Sequence, residues 1–103
     1  MKDATYPVDL SVMQTTLKDH RQSLGKETGR FHYGNEVGLI NFAITGKHKG
    51  CVRDVIITRK VLKAVRRVVC ENIKLIKLHV VYEDRKLSCR KLFLQITTTE
   101  VKY

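Results

Sequence analysis

The chain has 103 residues, 43% of them hydrophobic, one proline and a formal net charge of +10 at pH 7. These values predict a single folded domain over 1–103 and argue against a disordered chain. No apolar run approaches the roughly 18 residues of a membrane span, and the N-terminus lacks the apolar segment of a signal peptide. We therefore expect a cytoplasmic protein that does not bind a membrane.

The N-terminal third of the chain predicts one helix between two irregular segments. Residues 1–6 are expected to form a flexible arm. Apolar residues at helical spacing predict a first helix over 8–24. Residues 25–34 contain three glycines and show no period, which predicts a loop.

A short second helix is predicted over 36–45. Asn35 supplies a side chain suited to the N-cap, and Gly46 is a suitable residue for the left-handed position after the helix. Glu36 would then place a negative charge at the positive end of the helix dipole.

The stretch 58–81 predicts a long central amphipathic helix that begins at a Thr58 cap. Its apolar residues recur at helical spacing, and its basic residues fall within an arc of roughly 120° on the other side. That arc includes Lys60, Lys63, Arg66, Arg67, Lys74 and Lys77.

A fourth helix is predicted over 83–96, because Glu83 and Asp84 favour a helix start. Residues 98–103 are expected to fray. The predicted fold is therefore an all-α domain of four helices around the long amphipathic one. The β-branched residues leave an α+β alternative, with short strands near 51–57 and 74–81.

No motif for catalysis, metal binding or a cofactor is present, so we expect neither an enzyme nor a cofactor. Cys51, Cys70 and Cys89 fit neither a disulfide framework nor a zinc pattern. A small basic ribonuclease could assemble His32 or His48 with Glu36 and lysines in space without a local motif, and it is the least favoured hypothesis.

The charge favours a partner with negative charge. Residues 1–52 carry a net charge of +2, and 53–103 carry +8. Such asymmetry is typical of proteins that bind nucleic acid or an acidic protein surface. The predicted binding residues are Lys60, Lys63, Arg66, Arg67, Lys74, Lys77, Arg85 and Lys86. Leu75, Leu78 and Val81 flank the apolar stripe and are candidates for contact with a partner or a second copy of the chain.

A series of short motifs runs in order from Tyr33 to Phe93. They are Tyr33-Gly34-Asn35-Glu36, Leu39-Ile40-Asn41, Ile44-Thr45-Gly46, Arg53-Asp54, Asn72-Ile73, Leu75-Ile76, Tyr82-Glu83-Asp84-Arg85-Lys86 and Leu92-Phe93. In this order the segment resembles the C-terminal module of phage KilA-type proteins and antirepressors. The signature positions of that resemblance are Tyr33, Asn35, Glu36, Arg53, Asp54, Asp84 and Arg85.

The resemblance implies a phage or prophage protein in the bacterial cytoplasm. In that family the module usually follows a DNA-binding or antirepressor domain, and residues 1–32 are too short to form one. The expected function is therefore that of a free-standing regulator that binds a protein partner, such as an antirepressor that removes a phage repressor from its operator. Direct nucleic-acid binding through the basic face of 58–81 is the alternative. The family supplies no catalytic residues.

Overall fold

The computed structural model describes residues 9–47 and 58–101, with side chains through Thr98, and this part of the chain has four helices and no strand. The helices are α1 (Ser11–Ser23), α2 (Arg30–Thr45), α3 (Arg59–Lys77) and α4 (Tyr82–Val101). The prediction of an all-α fold is confirmed. The alternative strand at 74–81 is wrong, because α3 continues to Lys77 and a turn follows. The other alternative strand, 51–57, lies outside the described residues, as does the predicted arm 1–6.

Helix α2 begins earlier than predicted because a histidine caps it. The N-cap is Gly29, and the backbone N–H of Gly29 donates to Nδ1 of His32 at 2.9 Å. This contact is half of a capping box, with an imidazole in place of the usual Glu or Gln. Asn35 therefore lies inside α2, and its predicted role as N-cap is wrong. The predicted end is confirmed, since Gly46 adopts a left-handed φ of 74°.

Helix α3 begins where the sequence predicts and ends four residues earlier. The Thr58 hydroxyl accepts a hydrogen bond from the Val61 N–H at 3.2 Å, which confirms the cap. After Lys77 the chain turns, and the N–H of Val80 donates back to the carbonyl of Leu75 at 3.0 Å. This hydrogen bond satisfies a carbonyl that the helix itself leaves without a partner.

Helix α4 is longer than predicted at its C-terminal end. It begins at Tyr82 with Glu83 and Asp84 in its first turn, and it continues to Val101, past the predicted end at 96. Much of the segment that the sequence predicts to fray is thus helical. Leu87 of this helix, although apolar, is 63% exposed.

The core lies where α4 packs against α2 and α3, and α1 packs against α3 and adds Met13 and Leu17 to the same cluster. Full burial of an aliphatic side chain contributes about 1.5–3 kcal/mol, so these residues account for most of the driving force for folding. The buried hydrophobic residues are Met13, Leu17, Leu39, Ile40, Ala43, Ile44, Ala64, Val65, Val68, Val69, Ile76, Cys89 and Phe93. Among the helices described, none is both long and apolar enough to cross a bilayer.

Candidate basic interface on the third helix

The exposed side of α3 carries a row of positive charges, which we call the basic ridge. All six basic residues that the sequence places in one arc are exposed: Lys60, Lys63, Arg66, Arg67, Lys74 and Lys77. From Lys60 to Lys77 the ridge extends about 25 Å at a rise of 1.5 Å per residue. The acidic residue of α3, Glu71, is half-buried at the margin of this arc. The ridge therefore presents a positive face in two groups, Lys60–Arg67 and Lys74–Lys77.

The core fixes the direction of this face. The opposite side of α3 is buried against the other helices, through Ala64, Val65, Val68, Val69, Asn72 and Ile76. Because a helix turns about 100° per residue, burial of these positions forces the residues of the ridge toward solvent.

A groove runs along the N-terminal half of the basic ridge. Its volume is about 340 Å³, and its walls are Lys60, Lys63, Arg66, Arg67, Cys70 and, from α4, Ile96. Four cationic side chains surround two less polar ones. Such a groove can hold a group with a negatively charged end and an apolar body.

Two predicted binding residues do not extend the ridge. Arg85 is 6% exposed, and its guanidinium is bound to a carboxylate in the core, so its predicted role as a surface contact is wrong. Lys86 is half-buried, and its Nζ lies 4.8 Å from the centre of the Phe42 ring, at cation–π distance. Lys86 therefore faces α2, and Arg85 lies in the core between α2 and α3.

Arg85 belongs to a buried polar cluster with Glu36 and Asn72, one residue from each of α4, α2 and α3. Arg85 Nη1 and Nη2 donate to Oε1 and Oε2 of Glu36 at 2.8 and 2.9 Å. Asn72 Nδ2 donates to Glu36 Oε1 at 2.9 Å, and Arg85 Nε donates to the Val80 carbonyl at 3.1 Å. Each charged group has an opposite charge or a hydrogen-bond partner, as burial requires.

The signature residues of the resemblance act in this structure as a framework. Glu36 and Arg85 form the ion pair above, and the Tyr82 hydroxyl donates to the Asn35 carbonyl at 3.2 Å. Burial, and then the Glu36 carboxylate, raise the pKa of Tyr82, which keeps the phenol protonated as a donor. Tyr33 packs on the edge of the core, and Asp84 is exposed in the first turn of α4. Arg53 and Asp54 lie outside the described residues.

The three apolar candidates for partner contact lie around the end of α3 with different exposures. Leu78 is 61% exposed and Val81 is 62% exposed, while Leu75 is half-buried. Leu78 and Val81 therefore remain available on the surface.

The described side chains do not assemble the proposed ribonuclease pair. His32 Nδ1 accepts a hydrogen bond from the backbone N–H of Gly29. The carboxylate of Glu36 accepts hydrogen bonds from Arg85 and Asn72. His48 lies outside the described residues. The sequence does not predict the contact between His20 and His79, because 59 residues separate the two and neither lies in a motif.

The described residues contain no group of three or more His, Cys, Asp or Glu that could hold a metal ion. Burial raises the pKa of the Cys89 thiol to about 12, so this cysteine stays protonated in the core. Cys70, in contrast, is exposed within the ridge. The chain matches no family model, no curated protein and no solved structure.

Proposed function

We propose that this chain is a small regulatory protein of phage or prophage origin, acting in the bacterial cytoplasm by binding another protein. Its partner in this proposal is a phage repressor, which it removes from its operator. The observation that carries the proposal is the basic ridge, six exposed cations on one face of α3. The resemblance of Tyr33–Phe93 to phage antirepressor modules supplies the identity of the partner.

The sign of the charge constrains how such a protein would act. A repressor holds its operator through a positively charged surface, because the phosphates of DNA are negative. A protein with a net charge of +10 would be repelled by that surface and cannot act there by imitating DNA. The ridge would instead bind an acidic surface elsewhere on the repressor and favour a conformation that does not bind the operator.

A matched pair of variants tests this proposal. In Arg66→Glu/Arg67→Glu two charges of the ridge are reversed, while Lys18→Glu/Lys26→Glu makes the same change in net charge at exposed positions in α1 and just after it. Tagged wild-type protein and both variants would be incubated with lysogen extract, and captured proteins identified by mass spectrometry. We expect the repressor to be captured by wild type and the α1 variant, and lost with the ridge variant.

Operator release is the second readout, and it separates capture from function. Wild-type protein should release the purified repressor from labelled operator DNA in a mobility-shift assay, and the ridge variant should not. Capture of no phage regulator, together with tight binding of the chain to bare duplex, would overturn the proposal.

Direct nucleic-acid binding is the second candidate, and the groove beside Ile96 favours it. Lysine and arginine can neutralise phosphates while the apolar wall contacts a base or sugar. This candidate expects affinity for duplex DNA to fall with salt, with a log–log slope of about −0.9 for each phosphate contacted. Binding that is absent at physiological salt, or independent of salt, would exclude it.

A further inference from the structure

The turn after α3 contains an unusual residue for its conformation. His79 has a φ of 63°, the left-handed region, and among the described residues it is the one non-glycine residue there. Glycine is the usual residue at this position after a helix, because a Cβ is strained in the left-handed region. The backbone at His79 is therefore strained in a way that a glycine would not be.

The left-handed turn directs the His79 ring at a second histidine. Nδ1 of His79 lies 2.8 Å from Nε2 of His20 on α1, and the ring centres are 4.8 Å apart with planes at 47°. A hydrogen bond of this kind has one nitrogen that carries a proton and one that does not. Two ring nitrogens from distant parts of the chain thus face each other across one hydrogen bond.

A metal ion binds the neutral imidazole, because coordination needs the lone pair of a ring nitrogen. In the present hydrogen bond the accepting nitrogen already directs that lone pair at the other ring.

Space for further ligands adjoins the histidine pair. An open cavity of about 390 Å³ is lined by both rings together with Thr16, Asp19, Ser23 and Lys77. Its size allows several water molecules, whose oxygens can complete the coordination of an ion that two side chains hold.

We propose that His20 and His79 form a two-histidine binding site for a divalent transition-metal ion of the Zn²⁺ type. Two nitrogens on one tetrahedral Zn²⁺, each at about 2.0–2.1 Å, lie about 3.3 Å apart. The rings must therefore separate by about half an ångström and turn so that both lone pairs point at the ion. The proton of the present hydrogen bond moves through water to the other nitrogen of the same ring. Both rings stay neutral, and water fills the remaining positions.

The site would join α1 to the turn between α3 and α4, two parts of the chain that are 59 residues apart. An ion that binds only the folded form raises the thermal midpoint in proportion to the logarithm of its concentration. The site adjoins Lys77, at the C-terminal end of the basic ridge, and its test needs no protein or nucleic-acid partner.

The test measures Zn²⁺ binding by calorimetry in chelator-treated buffer, with the thermal midpoint recorded by circular dichroism. His79→Gly removes the ligand and places glycine at the left-handed φ, so this variant should fold. His20→Gln removes the other ligand from α1. The control His32→Gln also removes one imidazole, and the glutamine can keep the α2 cap by accepting from Gly29.

We expect wild type and His32→Gln to bind one Zn²⁺ per chain, and His20→Gln and His79→Gly each to bind it about tenfold or more weakly. Zn²⁺ should raise the thermal midpoint of the first two proteins only. Mg²⁺ should bind to none of them, because it prefers oxygen ligands. No binding by wild type, equal binding by all four proteins, or an equal loss in His32→Gln would overturn the proposal.

Discussion

Arg85 and Arg66 carry the same guanidinium, and the fold gives them opposite surroundings. Arg85 is 6% exposed and pairs with Glu36 through two hydrogen bonds, inside the buried polar cluster. Arg66 is exposed on α3 within the basic ridge. Burial makes the first charge costly to leave without its partner, whereas water screens the second and leaves it available for binding. The two regions therefore separate the charges that hold the fold from those that can recognise a partner.

Helix α3 joins both regions. Asn72, on its buried side, donates to Glu36, and the exposed cations extend along the other side from Lys60 to Lys77. A substitution on the buried side should change stability with little effect on binding. A substitution among the exposed cations should change binding with little effect on stability. Each prediction below tests that separation.

The largest expected effect is the loss of the buried charge pair. Glu36→Gln leaves the Arg85 cation buried without its counter-charge, which should lower the free energy of unfolding by about 3–5 kcal/mol. That is a large share of the 5–15 kcal/mol typical of a small domain. Urea unfolding followed by circular dichroism would measure it. Glu27→Gln, at an exposed position between α1 and α2, is the matched control and should change the free energy by about 0.5 kcal/mol or less.

The double variant Glu36→Leu/Arg85→Met refines this test. Because it buries no unpaired charge, it should be less destabilised than the sum of the two single variants. If each single variant lowered the free energy of unfolding by less than about 1 kcal/mol, the buried ion pair would not be important for stability.

The next effect concerns the end of α2, where a second arginine is held by the fold. Arg90 Nη1 donates to the carbonyls of Ala43 and Ile44 at 3.0 and 3.4 Å, and a Cβ on Gly46 would lie 2.6 Å from Arg90 Nη2. Gly46→Ala therefore strains the left-handed backbone and displaces this cap, at a cost of about 2–3 kcal/mol.

Gly25→Ala is the control for the backbone strain alone. Gly25 has nearly the same φ, 73°, and no atom of a neighbouring group within 4 Å of an added Cβ. This variant should lose only about 1–2 kcal/mol in the same urea experiment. Equal losses in the two variants would show that Arg90 contributes nothing at the end of α2.

The sequence could predict the elements whose signals are local. The Thr58 cap, the glycine after α2 and the apolar and basic sides of α3 each depend on residues within a few positions of one another. The sequence does not predict the start of α2, because His32 accepts the capping hydrogen bond from the Gly29 N–H and histidine is not a usual capping residue. The end of α3 was placed too late because Leu78 and Val81 continue the apolar pattern beyond the last helical turn.

The candidate site could be predicted only in part, for a different reason. Charge and helical spacing identify the six residues of the ridge, because a single helix determines their arrangement. The same argument from charge predicts Arg85 as a binding residue. Nothing near Arg85 in the sequence shows that it pairs with Glu36, 49 residues away. The contact between His20 and His79 likewise depends on how α1 packs beside the turn after α3. Only a folded structure shows such long-range contacts.

A smaller effect on stability is expected from the basic ridge. Arg66→Glu/Arg67→Glu replaces exposed side chains without a buried partner, so the free energy of unfolding should change by about 0.5 kcal/mol or less. Binding of the protein or nucleic-acid partner should nevertheless be lost, which reverses the pattern expected for Glu36→Gln. Urea unfolding and partner binding would be measured on the same preparations. A ridge variant that unfolds as readily as Glu36→Gln would remove the separation between the two regions.

The smallest expected effect is a dependence of stability on pH that comes from His20. Its folded-state pKa lies below the ordinary value of 6.5, first through desolvation and then through the charge of His79. Near and below pH 6.5 the unfolded chain therefore binds more protons than the folded one, so stability rises with pH. This contribution is fully present above pH 6.5 and is lost as the pH falls through the lower folded-state value. In chelator-treated buffer the urea midpoint of wild type should fall between about pH 7.5 and pH 5, and His20→Gln should weaken that fall. Equal pH profiles for wild type and His20→Gln would show that protonation of His20 does not change the stability of the fold.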